Sequence, residues 1–169
     1  MLPKAQRDRA IQSLSDDDAL RLDRDWYFGE ARDSQKPPPG EWRVWLLMAG
    51  RGFGKTRTGA EYVRQLIAAG QARRVALVGP TEADVRGVMV EGESGLLTVS
   101  RHDGKDVPLY QPSNRRLIWP KGAIAMTFSA EEPERLRGPQ HDLAWCDELA
   151  AWRYPHAWDM LNEVSHRGP

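Results

Sequence analysis

The stretch Ala49-Gly50-Arg51-Gly52-Phe53-Gly54-Lys55-Thr56 restricts what this chain can fold into more than any other. Gly50, Gly52 and Gly54 alternate and are followed at once by a lysine and a threonine. Alternating glycines let a tight turn take positive φ and keep β-carbons away from whatever approaches the backbone. The flanks fit a strand and a helix. Ahead of the turn, Trp42–Met48 is a compact apolar run of buried-strand length. Behind it, from Thr58 to Ala69, Val63, Leu66 and Ile67 fall at i, i+3 and i+4, and Gly70 marks a stop. Strand, glycine-rich turn and helix are the setting in which such a loop cradles phosphate. Its amides and the positive end of the helix dipole face the anion. On this reading residues 49 to 56 hold a nucleotide polyphosphate, Lys55 reaches the β- and γ-phosphates, and the Thr56 hydroxyl sits on Mg²⁺. The usual pattern opens with glycine; Ala49 takes that place here.

A chain of 169 residues amounts to about one domain and can bury a real core. Lys+Arg and Asp+Glu are both 24, so any attraction to nucleic acid has to come from a local patch. The single cysteine, Cys146, rules out an internal disulfide and fits a reducing compartment. No apolar run approaches membrane-spanning length and the first residues lack the apolar core of a signal peptide, so a soluble, intracellular protein is expected. Seven tryptophans point first to core packing.

Taken in order, residues 1–33 read as helical, with Ser15–Asp18 as a cap and Trp26, Tyr27 and Phe28 docking the helix. Residues 34–40, rich in proline, form a stiff connector, which gives an N-terminal extension over 1–40 and a core domain over 41–169. Arg74–Gly79 reads as a strand buried on both faces. Pro80 ends it, and Thr81 caps a helix to about Val90. Alternating strands and helices argue for a mainly parallel sheet flanked by helices. Residues 91–114 read as loop-rich. Arg116–Trp119 and Ala123–Phe128 read as adjacent strands joined by a turn. Ser129–Arg137 is a short helical segment stopped by Gly138-Pro139.

His141–Cys146 is then a strand that delivers Asp147 and Glu148 at its carboxyl end. Such a pair suits a loop of the kind described. Asp147 would hold Mg²⁺ through its water shell and Glu148 would polarise an attacking water. Two solvated acids at a strand edge would look the same in isolation; the loop upstream and the strands between give the pair its meaning.

With both motifs in hand, the chain resembles the N-terminal ATPase half of the viral terminase large subunits, of the tailed-phage and gene-transfer-agent kind. The resemblance rests on residues 42–56, on Val75–Arg86, and on Phe128–Gln140 running into Asp147–Ala150. It implies a P-loop NTPase fold of RecA-like type and hydrolysis of ATP with Mg²⁺. It also implies translocation of double-stranded DNA into a procapsid inside a bacterial host. A ring of subunits on the portal protein and a DNA-recognising small subunit are the implied partners. Arg51 matches an arginine typical of the family's loop, where a guanidinium can stabilise charge spreading over the γ-phosphate; holding its own loop by an ion pair is the plainer role. Arg135 and Arg137 suit a similar role on a neighbour's nucleotide or on DNA phosphate, or a purely structural one. Trp42 and Arg43 suit an adenine pocket by stacking, or core packing at a strand entry.

The family pattern continues past the acidic pair into a coupling motif and a metal-dependent nuclease domain, whereas this sequence stops at Pro169. It therefore reads as a truncated or split member without nuclease activity. Asp16, Asp17 and Asp18 read as a helix cap rather than a metal site. The four histidines lack zinc spacing with the lone cysteine. Two other readings stay open: a P-loop NTPase unrelated to DNA, and a non-catalytic remnant that binds nucleotide or a partner without turnover.

Overall fold

The computed structural model describes residues 26–103 and 106–164, with Ser13 and Ser15. The cap expected at Asp16–Asp18 and the helix expected before Trp26 lie outside the described residues. The chain forms two compact units, Met1–Met48 and Ala49–Pro169.

In the first unit, Trp26–Glu30 makes a π-helical turn and Asp33–Gln35 a 3-10 turn. The Gln35 side-chain Oε1 accepts the Arg32 backbone N–H at 3.1 Å, and Trp26 and Gln35 are buried. The strand expected over Trp42–Met48 does not form. Those residues are irregular, the sheet does not include them, and Val44, Leu46 and Met48 are 53%, 65% and 84% exposed. The physical reason is that an apolar run becomes a strand only where a neighbouring strand takes up its N–H and C=O groups. Locally it is braced instead by the Trp42 indole, whose N–H donates to the Pro38 carbonyl at 2.9 Å.

The second unit is built on helix α1 (Lys55–Ala68), strand β1 (Arg74–Gly79), the short helix α2 (Glu82–Asp84) and its π-helical continuation Val85–Val90. Helix α3 (Leu96–Asp103) and strands β2 (Leu109–Gln111), β3 (Arg116–Ile118), β4 (Ile124–Ser129) and β5 (Leu143–Cys146) follow, then helix α4 (His156–Val164). The strands make one sheet in the order β2-β3-β4-β1-β5. β1 runs parallel to β4 and to β5, whereas β2, β3 and β4 are joined antiparallel. The sheet is thus mixed rather than mainly parallel. The tight Trp119–Ala123 turn forces this, with Gly122 at φ 87° and Trp119 N–H bonded to the Ala123 carbonyl at 2.9 Å, so the chain reverses beside itself.

β1 alternates between two cores. Val75 and Leu77, fully buried, face a cluster with Ala60, Val63 and Ile67 of α1, Val85 and Met89, and Leu96 and Val99 of α3. Ala76 and Val78, equally buried, face Phe128, Leu136, Trp152 and Ala157, Met160 and Leu161 around α4. Helical segments therefore cover both faces, as the alternating pattern requires, and each fully buried aliphatic side chain contributes about 1.5–3 kcal/mol. α3 falls in the segment expected to be loop. Its glycines misled: a β-carbon on Gly92 or Gly95 would come within 2.7 Å of a carbonyl oxygen, so these residues serve close backbone approach rather than breaking a helix.

α1 touches β5 through a second glycine of this kind. A β-carbon on Gly59 would lie 2.4 Å from the Trp145 indole. Gly59→Ala is expected to force the ring or the helix aside and to cost about 1–3 kcal/mol, although alanine is the better helix former. Thermal denaturation checks this; a variant as stable as the parent would show that the contact is slack.

Candidate functional site

The turn between Ala49 and Lys55 is shaped by glycine. Gly52 and Gly54 take φ of 76° and 84°, and β-carbons placed on Gly50 or Gly52 would meet nothing within 4 Å. Gly54 is also the N-cap of α1 and offers no side chain to its amides. The first intrahelical bond is donated by Thr58 to the Gly54 carbonyl at 2.9 Å. The backbone N–H groups of Lys55, Thr56 and Arg57 therefore belong to the set that a helix start leaves without intrahelical acceptors. Oriented amides at the positive end of a 14-residue helix are able to accept an anion. The Lys55 ammonium closes this turn from inside, donating to the Ala49 carbonyl at 2.9 Å and the Gly50 carbonyl at 3.4 Å.

Two adjoining cavities open beside the turn. One, of about 430 Å³, is walled by Gly50 and residues 52–57 and, opposite them, by Gly87, Val88, Gly92, Glu93 and Ser94. The other, of about 340 Å³, is lined by Thr56, Gly79, Pro80, Asp84, Val88, Asp147 and Glu148. Thr56, Val88 and Glu148 line both. Of the residues singled out in sequence, these cavities bring together Gly50, Gly52, Phe53, Gly54, Lys55, Thr56, Asp147 and Glu148. Ala49 contributes its carbonyl to Lys55. Arg51 is exposed on the turn and lines neither cavity. Arg135 and Arg137 bind Glu132 and Glu134 on their own 3-10 turn, at 3.0 and 3.1 Å. Trp42 and Arg43 belong to the first unit.

The acids are held by the sheet. β5 pairs with β1 from Val75–Leu143 to Val78–Cys146, and the Asp142 carboxylate accepts the backbone N–H groups of Arg73 and Arg74 at 2.9 and 2.6 Å, which fixes the start of that register. Asp147 N–H then donates to the Val78 carbonyl at 2.9 Å, and the Trp152 indole N–H donates to the Asp147 carbonyl at 3.0 Å. Glu148, immediately after, sits in the left-handed region at φ 47°, ψ 46°. A non-glycine residue held there costs about 1–3 kcal/mol, a strain found most often at working sites. Burial first, and then the Glu148 charge, push the Asp147 carboxyl above the usual carboxylate range; Asp84 acts in the same direction and Lys55 opposes. Burial likewise pushes the neighbouring Cys146 thiol up to about 12, so it stays protonated and unreactive.

Sequence reasoning missed Trp152, the Gly87–Ser94 wall and Asp84. The spacing Thr81-x-x-Asp84 was visible as a helix start, but nothing in it says that the start faces a cavity.

Two consequences are measurable. A carboxyl whose folded value is raised favours folding while it is protonated, and that benefit is lost as pH rises through the folded value. Without metal at neutral pH, Asp147→Asn is therefore expected to melt above the parent, the gain shrinking on acidification; a lower melting point at neutral pH would contradict the burial argument. Glu148→Gly relieves the left-handed strain and is expected to raise stability by about 1 kcal/mol in denaturant titration, and an unchanged or lower midpoint would count against that strain.

The family model for the terminase large subunit, T4-like virus type, N-terminal domain matches residues 46–166, which is most of the chain. No curated protein and no solved structure matches. Among the described residues no helix is long and apolar enough to cross a membrane. With a match of that extent covering both the glycine turn and the acidic pair, the chain belongs to the N-terminal domain family of terminase large subunits, which points to a role in DNA packaging.

Proposed function

We propose that this domain binds and hydrolyses ATP to power translocation of double-stranded DNA into a procapsid, on a P-loop fold of RecA-like type. The observation that carries the reading is the convergence of Thr56, Asp147 and Glu148 on one cavity beside the open amides of the glycine turn. The backbone of residues 50–56 cradles the phosphates. Lys55 gives up its two carbonyls for the β- and γ-phosphate oxygens, a change of partner that needs only side-chain rotation. The hard oxygen donors of Thr56 and Asp147 fit Mg²⁺, and the burial of Asp147, which Lys55 offsets only in part, is relieved by such an ion. When bound, Mg²⁺ supplies charge neutralisation across the β- and γ-phosphates.

Glu148 accepts a proton from water, the water oxygen bonds to the γ-phosphorus, and the bond to the β–γ bridging oxygen breaks to release ADP and phosphate. Its strained backbone points to a side chain placed for work rather than for stability. Arg51, on the exposed rim, supplies a guanidinium to the γ-phosphate as charge spreads. Portal protein, a small terminase subunit and further copies in a ring are the partners that family membership suggests. The non-catalytic reading draws support from one observation, the irregular stretch Trp42–Met48 where the sequence calls for a strand, with Val44, Leu46 and Met48 exposed.

Mg²⁺-dependent ATP hydrolysis, measured with and without duplex DNA, tests the proposal. The parent is expected to turn over. Lys55→Ala should lose nucleotide binding, and Glu148→Gln should keep binding while hydrolysis falls by about 10²–10⁴-fold. Binding without turnover in the parent would favour the non-catalytic reading, and turnover indifferent to DNA would favour an NTPase of another kind.

A further inference from the structure

The smaller cavity, lined by Thr56 and Asp147, is also lined by a carboxylate with no part in the hydrolysis above. Asp84 ends α2, on the wall between Pro80 and Val88. Its backbone N–H donates to Thr81 Oγ1 at 3.1 Å, and the Thr81 hydroxyl donates to Asp84 Oδ2 at 2.7 Å. These two bonds account for Thr81 as the N-cap of α2. They also fix the Asp84 side chain, yet among the described residues Oδ1 accepts no hydrogen bond. The anion is thus held in place on a cavity wall with half of its accepting capacity unspent.

A carboxylate facing a polyphosphate repels it. The sign reverses when a hydrated divalent cation stands between them. Mg²⁺ keeps several waters and is held by one or two carboxylates together with phosphate oxygens rather than by an all-protein cage. An ion held with the nucleotide at Thr56 and Asp147 would keep waters that need acceptors within this cavity. Asp84 is a further carboxylate lining it.

We propose that Asp84 is a specificity residue that makes the site choose the metal-bound nucleotide over the metal-free one, by accepting hydrogen bonds from the cation's water shell and repelling an uncompensated phosphate chain. The inference rests on the reading of the glycine turn as an ATP site.

Equilibrium binding of a fluorescent ATP analogue to the full chain, in Mg²⁺ and in excess chelator, tests it without relying on turnover. The parent is expected to prefer the Mg²⁺ form. Asp84→Asn should reduce that preference by about 10-fold or more, by weakening binding in Mg²⁺ and strengthening it in chelator. Asp84→Ser, which keeps a short polar partner for Thr81, should do the same should the first variant fold poorly. Glu82→Gln, on the same helix and paired with Arg115, should leave the preference unchanged. With Mn²⁺ in place of Mg²⁺, paramagnetic resonance should show less ion retained beside the nucleotide in the Asp84 variants. A parent-like preference in either Asp84 variant, or an equal loss in both conditions, would overturn the proposal and leave Asp84 a helix-capping partner. Nucleotide binding by Lys55→Ala as tight as the parent's would instead sink the ATP-site reading, and the proposal with it.

Discussion

β1 is the strand that nothing else in the second unit can do without. Val75, Ala76, Leu77 and Val78 are wholly removed from solvent, and the strand is bonded along both edges. Four consecutive aliphatic residues with no polar side chain can be accommodated only with a strand on each side and an apolar layer on each face. That requirement brings β4 and β5 alongside, α1 and α3 onto one face and α4 onto the other. It also fixes which ends of the strands coincide. Because β5 is parallel to β1, the residue after Cys146 arrives next to Gly79, where β1 gives way to α2.

The cavities are a consequence of that alignment. A parallel sheet places the carboxyl ends of its strands together, and the segments leaving them diverge, so a cleft opens there without any residue having to be spared from the core. Asp147 and Glu148 enter it from β5, Asp84 from the helix after β1, and Thr56 from the start of α1. Burial sets the properties of Asp147, and backbone strain those of Glu148. These are features that packing alone would remove, and membership of a DNA-packaging family gives a reason for their retention.

Much of this was legible in the chain itself, and the failures are instructive. β1, the β3–β4 hairpin, α1 and the strand leading to Asp147 could be read because their periodicity and their stops agree with local geometry. Trp42–Met48 reads equally well as a strand and is not one, because periodicity records a capacity to pair and not the presence of a partner. α3 was hidden by Gly92 and Gly95, residues that usually break structure and here let backbones touch. In the site, the glycine turn and the acidic pair were visible as residue types. The opposite wall was not, since Gly87, Glu93 and Ser94 become neighbours of Lys55 and Thr56 only through the sheet.

The contact between Gly59 and Trp145 has a mechanical side. Gly59 lies one turn into the helix that starts with Lys55 and Thr56, and Trp145 lies two residues before Asp147. With no β-carbon between them, helix and strand meet across the thickness of one indole ring. Interiors packed this closely have low compressibility and pass a displacement on instead of absorbing it. A tilt of the helix would be passed on to the strand that ends at the acids. The ring acts as a pushrod between the helix that starts at the glycine turn and the strand that carries Asp147.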